Sequence, residues 1–592
     1  MLQFVASASS RRVAFLAQSF NKSQISLFPM TLMNSFIRLT TILLLIGQAF
    51  LTAAPTTAEP PKRPNILVII ADDMGFSDIG CYGGEIETPN LDRLAAGGLR
   101  FTSFYNGARC WPTRSALMTG YYPLQTGSDP NSGSYVKWHT TIPAVLKPLG
   151  YRTYHSGKWH VQGTGCESAH SAGFDHAYDQ AQGYLYFTPK NHALDGVALP
   201  RPKEEDGYFV DRAVGDHMLD FLREHRKEDP DKPFFAYMSF LSPHYPLKAP
   251  KEFVDKYKGR FDAGWDEIRK QRYDRMMKLG FPPEWKLSDP EAHVISPHSP
   301  ANAEAEKLQD GKQGFEEVYH YTPWKTLTDK QKKEQATKME IHAAMVDHLD
   351  TQVGRVLELL EKEGQFDNTI IFFLSDNGAD STQMLQDVQL PPDLVYQIDP
   401  KARWGSEMTT LSLGPSWAAA SNSPFRRHKI WAHEGGISTP LVVHWPDGIS
   451  LKPGSFVSTP GHVIDFMPTV VDLAGGKLAP SAPEAPPYPG KSLLPALAGK
   501  DIPRDFLHFK HDGNRALIKG PWKLVSAKID GNKWELYNRE SDRTEMHDLA
   551  TEKPEILRDL VREWTRIDNE FKEQGGYNKP AEPVAPKSNG GS

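Results

Sequence analysis

Continuous apolar runs recur along the chain, and polar side chains follow each of them directly. The clearest runs are 65–70 (NILVII), 234–240 (FFAYMSF) and 369–374 (TIIFFL). Short runs rich in β-branched and aromatic residues are typical of strands buried on both faces of a parallel sheet. Further strands are predicted over 101–105, 151–154 and 440–444.

Helical patterns alternate with these runs. Residues 209–224 carry apolar side chains at three- and four-residue spacing, and a longer helix with the same spacing ends at Gly364. A short helix is predicted with Pro112 in its first turn and Gly120 at its end, because proline fits a first helical turn and glycine fits a helix end. Alternating strands and helices predict an α/β fold with a largely parallel sheet.

The pattern changes after Gly475, where the Pro/Ala-rich stretch 478–489 is the best candidate for a domain boundary. Short strands and one amphipathic helix beyond it predict a smaller α+β domain. The predicted units are a catalytic domain over 64–475 with an insertion at 250–330, a linker at 476–489, a C-terminal domain over 490–575 and a disordered tail at 576–592.

The N-terminal segment has the composition of a secretory signal. Arg38 precedes an apolar run over 39–51, small residues follow at 53–54, and a linker is predicted over 55–63. The run is short for a bilayer span, so we expect residues 1–54 to be removed on export to the periplasm or medium, without a stable membrane anchor. A start at Met30 or Met33 would give a more ordinary signal length.

Net charge and cysteine content exclude some classes of function. Loss of residues 1–54 would change the formal net charge from −6 to −10, because four basic and no acidic residues leave. An acidic exported protein is a poor general binder of nucleic acid or anionic lipid. Three cysteines (Cys81, Cys110 and Cys166) cannot build a disulfide framework, and Cys110 is the candidate for an unpaired thiol.

Two predicted strands end in side chains that carry oxygen ligands. Asp72 and Asp73 follow the run at 65–70, and Asp376 and Asn377 follow the run at 369–374. Open α/β sheets place ligands at such carboxyl ends, and a cation would relieve the repulsion between adjacent carboxylates. Oxygen ligands favour Ca²⁺ or Mg²⁺ over Zn²⁺, and Ca²⁺ tolerates irregular geometry better. A solvated strand-to-loop turn is the alternative.

Cationic and nucleophilic candidates lie near the same predicted edge. Cys110 stands at the start of the helix that Gly120 ends, and Arg114 would add positive charge there to the free backbone N–H groups. Lys158 and His160 follow a strand and would share one side if the chain stays extended. His244 follows a third strand, and Lys429 precedes a Glu-Gly-Gly segment. Each of these side chains alone could be an ordinary surface residue.

The segment Cys110-Trp-Pro-Thr-Arg114, followed by Leu-Met-Thr-Gly120, resembles the type I sulfatases, which are defined by Cys-x-Pro-x-Arg. The resemblance runs from about Pro64 to about Arg566, and a segment at 513–516 looks like the bacterial arylsulfatase branch. Thr113 departs from the pattern, since many members have serine there. Further matching motifs are Ala71-Asp-Asp73, Gly157-Lys-Trp-His160, Ser242-Pro-His244, Asp376-Asn-Gly378 and Lys429 before Glu-Gly-Gly.

The resemblance implies a fold and a cofactor. The fold would be alkaline-phosphatase-like, with a large mixed, mostly parallel sheet flanked by helices and a smaller C-terminal α+β domain. A formylglycine-generating maturation enzyme would oxidise Cys110 to formylglycine, whose hydrate attacks sulfur. By similarity, Ca²⁺ (Mg²⁺ second) would be held by Asp72, Asp73, Cys110, Asp376 and Asn377.

The resemblance also implies the remaining roles. Arg114 and Lys158 would steady the hydrate, His160 would take the proton that triggers sulfate elimination, and His244 and Lys429 would bind sulfate and protonate the leaving oxygen. Independently, sulfate transfer leaves charge on oxygens, so positioned cations matter more than a strong base. The expected substrate is an aryl sulfate or a sulfated carbohydrate.

Two alternatives share this scaffold. A phosphate or phosphonate monoester hydrolase would act on esters of similar shape, and a non-catalytic glycan-binding relative would keep the fold without maturation. Specificity would come from the loops at 161–207, 250–330 and 379–420. Trp265, Trp285 and Trp417 in these loops could stack on a sugar, although packing is the more ordinary role of tryptophan.

Overall fold

The computed structural model describes residues 63–577 except 130–135, 137, 162, 164, 181–184, 292–317, 319 and 383–400. The predicted signal segment and residues 578–592 of the predicted tail lie outside the described residues. The described residues belong to one compact unit that begins at Arg63. Among their helices, none is both long and apolar enough to cross a bilayer.

The strands and helices are numbered in chain order. The strands are β1 Asn65–Ala71, β2 Leu99–Tyr105, β3 Arg152–Lys158, β4 His176–Gln180, β5 His192–Leu194, β6 Val197–Ala198, β7 Phe234–Ser239, β8 Thr369–Ser375, β9 Ser438–His444, β10 Ser455–Val457, β11 Gly461–His462, β12 Leu507–His511, β13 Asn514–Lys519, β14 Trp522–Ser526 and β15 Trp534–Asn538. The α-helices are α1 Pro89–Gly97, α2 Cys110–Thr119, α3 Pro123–Thr126, α4 Ile142–Leu146, α5 Val210–Glu228, α6 Lys251–Tyr257, α7 Gly264–Leu279, α8 Asp329–Lys362, α9 Gly414–Ser421, α10 Glu434–Ile437, α11 Phe466–Leu473, α12 Leu494–Leu497 and α13 Pro554–Gln574.

The large sheet is mixed and mostly parallel, as predicted. Its strand order is β10-β2-β9-β8-β1-β7-β3-β4-β5-β6, and β11 pairs with β2. The central strands β8, β1, β7, β3 and β4 run parallel, whereas β9 is antiparallel to both of its neighbours. The three apolar runs that were clearest in the sequence therefore form β8, β1 and β7, side by side at the centre.

Both faces of the central sheet are buried. In β1, Leu67 and Ile69 point into one hydrophobic core, and Ile66 and Val68 point into the other. The long helix α8 covers the first face, and α2 and α11 cover the second. This double burial is the physical reason that the central strands read as continuous apolar runs rather than as alternating ones.

A second, four-stranded antiparallel sheet lies near the C-terminus, in the order β12-β13-β14-β15, and α13 packs on it. It confirms the predicted α+β arrangement and adds β12, which the sequence pattern did not predict. The predicted boundary at 476–489 stays a prediction.

Two other expectations differ from the structure. The predicted loops at 161–207 include β4, β5 and β6, which extend the large sheet. Strands β4, β5 and β6 are too short to show a clear alternation of apolar and polar residues in the sequence. Strand β3 ends at Lys158, and His160 has a left-handed φ of 49°, so the chain is not extended there and alternation does not relate the two side chains.

The three tryptophans that were candidates for ligand stacking are packing residues. Trp265, Trp285 and Trp417 are all buried, and Trp265 meets Trp417 edge-on. All three cysteines are free and buried.

Candidate active site

The carboxyl ends of β1 and β8 meet because the two strands are parallel neighbours in register. Ala71 pairs with Ser375, so Asp72 and Asp376 leave the sheet side by side. The Asp73 N–H donates to Asp376 Oδ1 at 3.3 Å, and Asn377 Nδ2 donates to Asp73 Oδ1 at 2.6 Å. All four predicted oxygen ligands are buried in one cluster.

Two oxygen atoms of this cluster have no hydrogen-bond partner. They are Asp72 Oδ1 and Asn377 Oδ1, which are both fully buried. A buried carboxylate or amide oxygen without a partner costs free energy unless a cation or donor meets it. One ligand atom each from Asp72, Asp73 and His244 also lies within 4.8 Å of the others. The donor set therefore fits a hard divalent cation.

Helix α2 brings Cys110 and Arg114 to the same place. Cys110 is the first residue of the helix and is 2% exposed, and Gly120 ends the helix in a left-handed conformation. One turn after Cys110, Arg114 Nε donates to Asp376 Oδ2 at 2.8 Å, and its Nη2 lies 2.8 Å from the same oxygen. Its Nη1 donates to the Lys158 carbonyl at 3.1 Å, so one guanidinium joins α2 to two strand ends.

Two buried lysines, which come from different parts of the chain, contact the aspartates. Lys158, the last residue of β3, donates to Asp72 Oδ2. Lys429 lies in the segment before α10, and its Nζ is 2.6 Å from Asp73 Oδ1 and 3.1 Å from Asp380 Oδ2. Together with Arg114, these lysines place three cationic side chains in one buried region.

The pKa values of the carboxyl groups reflect this crowding. Burial opposes ionisation of Asp72, but Lys158, His244 and Arg114 outweigh it and hold the pKa well below its usual value. Burial and the neighbouring carboxylates raise the pKa of Asp73 well above its usual value, against Lys429. Burial and Asp72 likewise raise the pKa of Asp376 to about 7, against Arg114.

His244 lies opposite the aspartates, and its Nε2 is 3.5 Å from Asp73 Oδ2. Its Nδ1 lies 2.6 Å from the carbonyl of Tyr245, which can only accept, so Nδ1 carries the proton. Burial lowers the pKa of His244 to about 3, and Lys429 and Lys158 act in the same direction. An anionic ligand beside it would raise that pKa.

His160 lies near the same cluster, and its ring meets Trp111 edge-on at 6.0 Å. Its Nδ1 is buried without a hydrogen-bond partner. Burial, Lys158 and Arg114 lower the pKa of His160 well below its usual value, so the imidazole is neutral. A neutral imidazole has one unprotonated ring nitrogen, which can accept a proton.

Two residues of this cluster were not predicted from the sequence. Asp380 pairs with Lys429, and Ser239 at the end of β7 accepts from Arg114 and donates to the Lys158 carbonyl at 2.7 Å. Asp380 lies four residues after Asp376, so the sequence could have indicated it as a further acidic candidate. Ser239 has no such signal, because only the order of the strands brings β7 beside β3.

The chain resembles known sulfatases along most of its length. A family model described as Sulfatase matches residues 64–476, and one described as N-sulphoglucosamine sulphohydrolase, C-terminal, matches residues 426–570. An uncharacterised sulfatase of Schizosaccharomyces pombe is 30% identical over 581 residues, which cover 88% of this chain and 98% of that protein. An arylsulfatase of Klebsiella aerogenes is 30% identical over 458 residues, which cover 72% and 90%.

A solved structure shows the same fold. The crystal structure of Ps i-CgsB in complex with k-i-k-neocarrahexaose has a TM-score of 0.60 at 22% identity, covering 87% of this chain and 94% of that chain.

Proposed function

Because the chain belongs to the sulfatase family and is a sulfuric ester hydrolase, we propose that it cleaves sulfate monoesters with residue 110, matured from cysteine to formylglycine, as the nucleophile. The observation that carries this proposal is the convergence of three buried cations and four oxygen donors beside the first residue of α2. A sulfate group is an anion, and the three cations, together with a divalent cation held by the oxygen ligands, would be complementary to its charge.

We also propose that Asp72, Asp73, Asp376 and Asn377, together with residue 110, hold Ca²⁺. The unpartnered oxygens of Asp72 and Asn377 support this assignment, and a set with four side chains that offer oxygen ligands favours Ca²⁺ over Zn²⁺. When bound, the ion would neutralise carboxylates and polarise a sulfate oxygen.

Arg114 and Lys158 would orient the nucleophile. Arg114 is held by Asp376, Ser239 and the Lys158 carbonyl, so its guanidinium is fixed before substrate arrives. One hydroxyl of the formylglycine hydrate would attack sulfur, and the S–O bond to the alcohol would break. Preorganised cations then meet the negative charge that develops on the sulfate oxygens.

The two histidines would move the protons. His244, with Lys429 beside the same aspartate, would protonate the departing oxygen as the bound anion raises the histidine pKa. His160, neutral because of burial and the nearby cations, would accept the proton of the second hydroxyl. Loss of that proton expels sulfate and returns the aldehyde, which water hydrates again.

Substrate class, maturation and export are the remaining parts of the proposal. The substrate would be an aryl sulfate or a sulfated carbohydrate, which agrees with the arylsulfatase name of one relative and the oligosaccharide bound in one structural neighbour. A formylglycine-generating enzyme would modify Cys110, and the mature chain would act in the periplasm or medium. The bacterial arylsulfatase branch stays a prediction.

The decisive experiment combines mass spectrometry and kinetics on protein produced in a host that has the maturation enzyme. The peptide containing residue 110 is expected at the mass of formylglycine or its hydrate, and the same preparation should release sulfate from para-nitrophenyl sulfate. Cys110→Ala is the matched control and should release none.

Two results would contradict the proposal. An unmodified thiol in protein that still turns over sulfate esters would exclude the formylglycine nucleophile. A higher kcat/KM for para-nitrophenyl phosphate than for the sulfate would favour the phosphate monoester hydrolase.

A further inference from the structure

A cavity continues the candidate active site along the edge of the large sheet. In the parallel pair β3–β4, Lys158 lies opposite Gln180, and in the antiparallel pair β4–β5 Gln180 lies opposite His192. The three side chains therefore follow one another across neighbouring strands at one edge. Lys158 belongs to the candidate catalytic cluster, so the next two positions lie directly outward from it.

The cavity is large enough for a ring-sized ligand. Its volume is about 380 Å³, and the described residues around it include Trp159, His160, Gln180, Lys190, Asn191 and His192. Ligand sites commonly occupy several hundred Å³. His160, the candidate base, lines the cavity and also lies near Lys158 and Arg114, so a molecule bound here would lie next to a residue of the candidate active site.

The lining combines polar side chains with apolar surface. Eight of the twelve described lining residues are polar or charged, and Trp159 is the one tryptophan, tyrosine or phenylalanine among these twelve. Trp159 is held in place because its Nε1 donates to the Cys166 carbonyl at 2.9 Å. An indole ring near hydrogen-bonding groups suits a sugar, which has apolar ring faces and hydroxyl groups at its edge.

Gln180 gives the clearest indication of a ligand. Its side chain is 3% exposed, and its Oε1 is buried without a hydrogen-bond partner. A buried acceptor in this position needs a donor, and a hydroxyl group supplies one. An unsubstituted aryl ring has no hydrogen-bond donor, so an aryl group would leave Gln180 Oε1 without a partner.

The charges around the cavity distinguish between sugars. Among the described lining residues, Glu167 and Asp179 are acidic, and Lys190 is the one lysine or arginine. Anionic groups beyond the reacting sulfate would meet these carboxyl groups, which disfavours a second sulfate at this position.

We propose that this cavity binds the sugar ring that carries or adjoins the reacting sulfate, and that the ring is an uncharged pyranose rather than an aryl group or a second sulfated unit. The proposal rests on the proposed function, because it assigns the alcohol part of the same sulfate ester. It names Gln180 as a residue that determines specificity.

The test compares substrates within each variant. Sulfate release is measured with para-nitrophenyl sulfate and with a panel of monosulfated D-galactose and N-acetyl-D-glucosamine regioisomers. We expect Gln180→Leu to lower the ratio of sugar to aryl kcat/KM by about 10-fold or more, because a site that hydrogen-bonds a hydroxyl discriminates strongly. Gln271→Leu, the same change on α7 and outside the cavity, should leave the ratio unchanged.

A second variant keeps the proposal testable if Gln180→Leu does not fold. Ala198 is exposed at the rim of the cavity, and Ala198→Trp should narrow the cavity without disturbing the core. It is expected to raise KM for the sugar sulfates more than KM for the aryl sulfate.

The outcomes separate the two proposals. Equal losses on both substrate types in both variants would overturn the sugar subsite, and so would a matured wild-type enzyme that hydrolyses the aryl sulfate and none of the panel. Sulfate release from neither type by matured wild-type protein would instead overturn the proposed function.

Discussion

Thr113 is the residue at which the nucleophile segment is tied to the carboxyl end of β8. The Gly107 N–H donates to its Oγ1 at 2.8 Å, and the hydroxyl donates to the Asp376 carbonyl at 2.6 Å. The side chain is fully buried. Serine, which many sulfatases have here, would keep both bonds, so the hydroxyl is the part of Thr113 that this position needs.

We expect Thr113→Val to lower the free energy of unfolding by about 1–3 kcal/mol, because it leaves a partly buried N–H and a buried carbonyl without this partner. Thr113→Ser should cost about 1 kcal/mol or less, since it loses one buried methyl group. Urea denaturation of the two variants and the wild type measures both values. Equal losses for serine and valine would show that packing of the methyl group matters and the hydroxyl does not.

The carboxylate cluster leads to a prediction about metal. Ca²⁺ that binds the folded state should stabilise it, by about 2.7 kcal/mol at 100 times Kd, and chelation should remove both this gain and most aryl sulfate turnover. Asp72→Asn should weaken Ca²⁺ binding at least as much as the roughly 10- to 100-fold typical of losing an outer-shell partner. Calorimetric titration and thermal unfolding with Ca²⁺ or Mg²⁺ measure the effect.

Asp274→Asn is the matched control for this prediction, because Asp274 is an exposed residue of α7 that pairs with Lys270. It should bind Ca²⁺ like the wild type. Full activity in chelator, together with no metal bound to the purified protein, would contradict the ligand assignment.

At the scale of elements, the turn between β12 and β13 reaches the start of α2. His511 Nδ1 lies 2.9 Å from Asp129 Oδ1, and its ring meets Trp111 edge-on at 5.2 Å. Arg109 stacks over Trp111 and pairs with Asp512 at 3.1 Å. The C-terminal sheet therefore contacts both neighbours of Cys110 in the sequence.

His511 gives this contact a pH dependence. Burial alone would lower its pKa, but Asp129 and Asp512 outweigh burial and raise it to about 9. Because the folded-state pKa exceeds the unfolded value of about 6.5, the stabilisation is complete below about pH 6.5 and is lost as the pH rises through about 9. We expect the stability advantage of the wild type over His511→Gln to fall by roughly 3 kcal/mol across this range.

Denaturation of both proteins at several pH values between these limits checks the prediction. His547→Gln serves as the control, since His547 is a surface residue that pairs with Glu552 and should show little change. An advantage that stays constant with pH would mean that His511 is not charged in the folded protein.

At the scale of the whole molecule, buried ion pairs join the C-terminal sheet to the segment that carries Lys429. Lys523 on β14 lies 2.8 Å from Glu434 Oε1 and 2.6 Å from Glu545 Oε1, and all three residues are buried. Nearer to Lys429, Arg427 pairs with Asp530 at 2.6 Å. The small sheet thus holds the Lys429 segment from outside the catalytic cluster.

We expect Lys523→Met to lower the free energy of unfolding by about 3–5 kcal/mol, because it removes the cation that pairs with buried Glu545 and one of the two cations, with Arg543, that pair with buried Glu434. Aryl sulfate turnover should also fall, through the position of Lys429. Lys519 is on β13 of the same sheet and forms a more exposed pair with Glu563 of α13. Lys519→Met should therefore cost about 1 kcal/mol or less. Equal effects of the two substitutions on stability and kcat would contradict this role.

Local sequence patterns were sufficient for the longer elements, and they indicated most of the residues that the structure brings together in the candidate site. The apolar runs of β1 and β8 predicted buried strands because both of their faces contact a core, and the oxygen ligands could be read from the ends of those runs. The Cys-x-Pro-x-Arg segment indicated the family. Each of these signals lies within about ten residues of chain, where spacing alone carries the information.

The tertiary structure decided which strand ends meet and what surrounds them. No local pattern relates Lys158 to Gln180, or Arg114 to Ser239, since strand order and register are set by contacts between distant segments. The short strands β4 to β6 read as loops, and the tryptophans that could have been ligand contacts are core residues, because burial depends on what packs from elsewhere. Sequence determined the chemistry available at each strand end, and the packing of distant segments determined which of those groups act together.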